Sequence, residues 1–207
     1  MSDQKIMGDM LREHPYNPDT AIHTIFEYQR KFAGKFIPFD KIRERAEYGN
    51  YDLMVQWVEE LCICLMDEVS EVLNWTNWKH WRSYRDAEPI KRSEIAFEMI
   101  DILHFLVNLY QVAGLAPEPM MIEPNEAVLQ LPPLSDEELT LKLKEWVKRM
   151  ILGIGDVIKF PDVTFMIPAL SSTLRQGFEI LRLSKQDIFN YYMSKNEENF
   201  RRQANGY

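Results

Sequence analysis

Eleven prolines punctuate this chain so unevenly that the gaps between them constrain what it can fold into. Residues 39–88, 90–116, 134–160 and 169–207 contain none. A proline inside a helix removes a backbone hydrogen bond and clashes with the preceding turn, so the gaps are where long helices can run. Hydrophobic periodicity agrees. In residues 53–74, Val55, Val58, Cys62, Leu65, Met66, Val69 and Leu73 recur at helical spacing. Residues 93–113 read as a second helix, with Ser93 as candidate N-cap and Gly114 as the C-terminal signal. Ser135 and Glu138 make a capping box for a helix running toward Gly153. Ser184 and Asp187 open another that extends to about residue 204. An earlier helix is expected over about 20–34. The weak alternating run VTFMI at 163–167 is the one hint of a strand. The predicted fold class is all-α, one domain over residues 1–207. The Pro-rich, acidic stretch 116–134 starts an elaboration that lasts to about residue 183.

Charge narrows the function. The chain carries 32 acidic against 24 basic residues, a net charge of −8. Nonspecific nucleic-acid binding needs the opposite balance. A small anionic ligand needs local basic residues or metal ions to offset the acidic field. Cys62 and Cys64 are two residues apart and point away from each other on a helix, so they form no disulfide there. Two cysteines alone cannot close a zinc site, and a reduced cytoplasm fits them. The apolar stretch Met99–Leu115 is interrupted by Asp101, His104, Asn108 and Gln111, so no membrane span is expected. The opening run MSDQKIMGDMLREH shows no apolar signal core.

Two of the helices carry acids where an ordinary amphipathic helix would not. Asp67, Glu68 and Glu71 form the first cluster, and Glu94, Glu98 and Asp101 the second. At about 100° per residue, Glu94, Glu98 and Asp101 share one stripe, continued by Phe105 and Asn108. The rest of that helix is apolar, which marks it as buried. Buried carboxylates need a counter-charge. Lys79, Arg82, Lys91 and Arg92 sit in the connecting loop rather than in the helices. Bound Mg²⁺, or Mn²⁺, is an economical answer, and neighbouring divalent ions suit phosphate chemistry. The competing readings are a solvated acidic face and a di-iron centre. The di-iron centre wants a Glu-x-x-His on each of two helices. Asp101 with His104 is the one comparable pair, and a satisfied core histidine explains His104 as well.

The C-terminal helix places Tyr192, Lys195, Asn196 and Asn199 on one face, with Arg202 one turn later. Lysine, arginine and amide donors can grip phosphate oxygens. A helix-ending basic face accounts for the same residues. Trp75, Trp78 and Trp81 cluster after the first acidic helix, where they suit base stacking or core closure.

Together these blocks resemble the dimeric all-α dUTPases, and within them the dCTP/dUTP pyrophosphatases of large tailed bacteriophages, in the MazG-like all-α pyrophosphohydrolase superfamily. Ile25-Phe-Glu-Tyr-Gln29-Arg looks like the family's first motif. Asp67-Glu68-x-x-Glu71 looks like the first acidic motif, with Asp67 where glutamate is commoner, and Trp78-Lys79-x-Trp81 follows it. Glu94-x-x-x-Glu98-x-x-Asp101-x-x-His104-Phe105 looks like the second acidic motif. The most specific block is Tyr192-x-x-Lys195-Asn196-x-x-Asn199-x-x-Arg202-x-x-x-Gly206-Tyr207, which is similar to the closing motif at every position.

The resemblance implies a helical bundle of the all-α NTP pyrophosphatase type. Its core helices would cover about 20–115 and 184–207, with an inserted helical cap at about 116–183. It implies a homodimer acting in the cytoplasm, the host's if phage-encoded, on a deoxypyrimidine triphosphate. Glu68, Glu71, Glu98 and Asp101 would bind Mg²⁺ and do the catalysis, with Glu68 activating the water that attacks the α-phosphate. Lys195, Asn196, Arg202 and Tyr207 would hold the leaving phosphates, with Tyr192 and Asn199 in the same motif. Gln29 and Asn108 would contact base or sugar, near Trp78 and Lys79. A broad-specificity MazG-like pyrophosphohydrolase and a non-catalytic helical interaction protein are the alternatives. The first does not usually carry the closing motif, and the second has no reason to keep buried acids.

Overall fold

The computed structural model describes residues 10–79, 89–118, 120–159 and 163–206. Among the described residues the regular structure is all helix: α1 (Met10–Glu13), α2 (Ala21–Ala33), α3 (Phe39–Glu47), α4 (Asp52–Asn74), α5 (Arg92–Val112), α6 (Glu126–Leu129), α7 (Asp136–Lys159), α8 (Val163–Leu181) and α9 (Lys185–Ala204). The predicted capping boxes are formed. Ser184 Oγ accepts from the Asp187 amide at 3.1 Å, and Asp187 accepts from the Ser184 amide at 2.9 Å. Ser135 and Glu138 make the same exchange at the start of α7. At the end of α5, Gly114 adopts φ +68°, a left-handed conformation that suits glycine. That turn lets the Leu115 amide reach back to the Tyr110 carbonyl at 2.8 Å.

Four helices make a closed ring: α4 packs on α5, α5 on α8, α8 on α7, and α7 on α4. α2 and α9 lie on α5 and on each other, and α3 bridges α4 and α5. α5 is thus surrounded, which is why it is apolar all round. It has the length and hydropathy of a membrane span, but 72% of that window is buried against the rest of the protein. α4 and α5 run antiparallel. Met54 and Val55 line a cavity of about 770 Å³ with Val112 to Leu115 at one end, while Glu68 faces Glu98 and Asp101 at the other.

Two sequence expectations, the strand and the start of α5, need correction, while residues 116–183, expected as an elaboration or cap, supply two walls of the ring. Leu143, Trp146 and Met150 of α7, with Leu174 and Phe178 of α8, are 0% exposed in the common core. The strand-like run at 163–167 lies in α8, where Ile167, Leu170, Leu174 and Phe178 are buried at a 3.6-residue period. Five alternating residues without a partner strand cannot compete with that longer pattern. Finally, α5 begins at Arg92, not after Ser93, and Lys91 is its N-cap without a side-chain bond. The Arg92 guanidinium instead reaches the Leu134 carbonyl at 2.6 Å and Asp136 at 3.3 Å, tying the starts of α5 and α7 together.

Candidate active site

The antiparallel pairing of α4 and α5 brings acids from two helices together. Oxygens of Glu68, Glu98 and Asp101 all lie within 4.8 Å of one another. Glu71, one turn beyond Glu68, sits beside Glu98, close enough for a hydrogen bond between their carboxyls when one is protonated. Asp67 is exposed on the outer side, and Glu94 stands outside the converging group. Burial pushes Glu68 up to about 7, reinforced by Asp101, Glu71 and Glu98 and opposed by Lys195. Burial also raises Asp101 to about 6 against the pull of Lys195, with Glu98 and Glu198 adding to the rise. Glu71 is raised for the same reason, burial first and then Glu98. Burial and mutual repulsion together raise these carboxyls, and a bound cation would relieve both costs.

The donor set fits a hard divalent ion. It is carboxylate oxygen throughout, and octahedral ligands at about 2.1 Å from magnesium stand roughly 3–4 Å from each other. The oxygens of Glu68, Glu98 and Asp101, within 4.8 Å of one another, stand close to that spacing. The di-iron alternative finds no support, because the group within ligating reach among the described residues contains no histidine. His104 is a core residue. Its Nδ1 pairs with the Ile100 carbonyl at 2.9 Å, and its ring stacks on Tyr192 at 4.4 Å. Asp101 stands 3.8 Å away, too far for a good hydrogen bond. Burial lowers His104 to about 3, so it is neutral.

A second feature is a buried polar chain between α2, α5 and α9. Gln29 Nε2 donates to Asn108 Oδ1 at 3.0 Å, Tyr192 Oη donates to Gln29 Oε1 at 2.8 Å, and Asn196 Nδ2 donates to Tyr192 Oη at 3.2 Å. None of the four is more than 5% exposed. Residues read from sequence as substrate contacts therefore bond to one another here.

The remaining candidates lie around these two features. Lys195 reaches Asp101 Oδ2 with Nζ at 2.7 Å. Asn199 is half-buried, and Arg202 is exposed and paired with Glu198 on its own helix. The Lys79 ammonium lies 5.7 Å from the Trp78 ring centre. His80, Trp81, Arg82 and Tyr207 lie outside the described residues. Sequence reasoning missed two roles. Trp75 Nε1 donates to Glu98 at 2.9 Å, and the Lys91 ammonium covers the same indole at 5.5 Å. The tryptophan cluster was the available signal, but not which acid it would serve. A base that the sequence reading did not bring to these acids, Lys195 on α9, supplies part of the counter-charge through Asp101.

With this geometry in hand, comparison adds one match. A family model described as dUTPase matches residues 21–207, which include every motif above. No curated protein matches the chain.

Proposed function

The chain belongs to the dUTPase family, of all-α type, and from that premise we propose that it is a Mg²⁺-dependent pyrophosphohydrolase of dUTP, and of dCTP beside it. The products would be the deoxynucleoside monophosphate and pyrophosphate. The observation that carries this reading is the convergence of Glu68, Glu98 and Asp101 from two facing helices, with Glu71 at its edge. A divalent ion held there would lower the pKa of bound water and neutralise charge on the phosphate oxygens. The chain's own residues would do the positioning, on which phosphoryl transfer largely depends. Glu68 would take the proton of the attacking water. Trp75 would fix the Glu98 carboxylate through its indole N–H. Lys195, Asn199 and Arg202, with Tyr207, would face the leaving phosphates, and Trp78 and Lys79 would flank the nucleoside. Asn108 would contact the base or sugar, with Gln29, Tyr192 and Asn196 forming the buried chain that holds its amide in register.

A homodimer in a reduced cytoplasm completes the proposal, in keeping with the free thiols of Cys62 and Cys64. The test is to incubate the protein with Mg²⁺ and each deoxynucleoside triphosphate and to resolve the products by chromatography. Release of monophosphate and pyrophosphate from dUTP is expected, with dCTP cleaved as well. Equal cleavage of purine triphosphates would move the protein to a broad-specificity role. Absence of turnover on every nucleotide would sink the catalytic reading.

A further inference from the structure

We propose that Lys195 competes with the divalent ion for Asp101, so that ion binding releases the lysine ammonium toward the phosphates. This rests on the metal site proposed above and adds an order of events to it.

The geometry is specific. Lys195 Nζ lies 2.7 Å from Asp101 Oδ2, with the two side chains 18% and 16% exposed. Asp101 is also one of the three carboxylates whose oxygens converge within 4.8 Å. Lys195 therefore sits on a member of the ligand set itself, not on a bystander. Its charge is felt at Glu68 and Glu71 too. An ammonium and a divalent ion sharing one carboxylate repel each other across a few ångströms, in a partly buried site where solvent screens them less than at the surface. An ion drawing on Asp101 weakens the hold on Lys195, and an ammonium on Asp101 weakens the hold on the ion.

The lysine stem allows release. Lysine carries a compact charge on four flexible methylenes, so Nζ can swing several ångströms without moving its helix. Asn199 and Arg202 lie on the same face of α9, one and two turns along, so the released ammonium would have further phosphate donors on its own helix. No other lysine or arginine among the described residues forms an ion pair with one of the converging carboxylates. The device couples metal loading to phosphate capture through one side chain.

The test is Mn²⁺ titration of the full chain by calorimetry, without nucleotide. Lys195→Met, which keeps the stem and deletes the charge, should bind Mn²⁺ about three- to tenfold more tightly than wild type. Lys195→Arg should stay near the wild-type affinity. Equal or weaker Mn²⁺ binding by Lys195→Met would overturn the proposal. A measurement on the wild type alone guards against a variant that folds poorly. The rate of acylation of the Lys195 amine, followed by mass spectrometry, should rise when Mn²⁺ is added, and an unchanged or lower rate would overturn the proposal equally. Wild-type turnover of dUTP with Mg²⁺ is read separately. Its absence would remove the proposed activity while leaving the Mn²⁺ comparison to stand or fall alone.

Discussion

Glu68 is the residue on which burial and like charge act most visibly. Its pKa, about 7, lies above the ordinary 4.5, so between those values the folded protein holds a proton that the unfolded chain has lost. Metal-free stability from this group is therefore present at low pH and falls as pH rises through that window. Removing the charge with Glu68→Gln should stabilise the metal-free protein at pH 7.5 relative to pH 5 by about 1 kcal/mol, screening allowed for. Thermal melts in EDTA at the two pH values check this. The same variant should lose turnover by about a hundredfold or more if Glu68 is the base. In the buried chain, Tyr192→Phe strips the donor from Gln29 Oε1 and should cost about 1–3 kcal/mol in urea denaturation. At this scale the spacing of Glu68, Glu71, Glu98 and Asp101 was legible, because helix geometry fixes which residues of one helix share a face. The Lys195–Asp101 and Trp75–Glu98 pairs were not, because each joins residues from different parts of the chain.

Among the elements, α9 divides its labour along its length. Ile188, Phe189, Tyr192 and Met193 are core, while Arg201 and Arg202 at its far end are exposed. A chain ending at Ser194 should therefore keep its helical circular dichroism, melt at lower temperature for want of the Asn196 bond to Tyr192, and turn over no triphosphate. Unchanged kinetics would show that the tail is not part of the site. α7 and α8 meet at closer quarters. A Cβ on Gly177 would stand 2.9 Å from the Trp146 indole, which is buried and bonded to the Thr173 carbonyl. Gly177→Ala should cost about 1–3 kcal/mol, because a rigid ring must shift within a packed core. A chemical denaturation midpoint measures it. Helix positions were readable from proline gaps, and two starts from capping boxes, since those signals are local. α8 was misread at its start because Pro168 interrupts it and the first residues alternate by chance.

For the molecule as a whole, the ring of α4, α5, α8 and α7 gives residues 116–183 a share of the common core. Replacing them by a short linker would expose the apolar faces of α4 and α5 to water, so no cooperative thermal transition should survive. Calorimetry and size-exclusion chromatography test that, and a cooperatively folding truncated chain would show that α4 and α5 hold together without these walls. By itself the sequence determined the all-α class, the long central helices, the two acidic clusters and the closing motif. All of these rest on periodicity and spacing along one helix, which the backbone enforces without reference to anything distant. Tertiary structure alone decided which helices close the ring, that Glu68 meets Glu98 and Asp101, that Gln29, Asn108, Tyr192 and Asn196 bond in one chain, and that Lys195 pairs with Asp101. Those outcomes depend on how apolar faces pair to leave water, and no local pattern encodes that pairing.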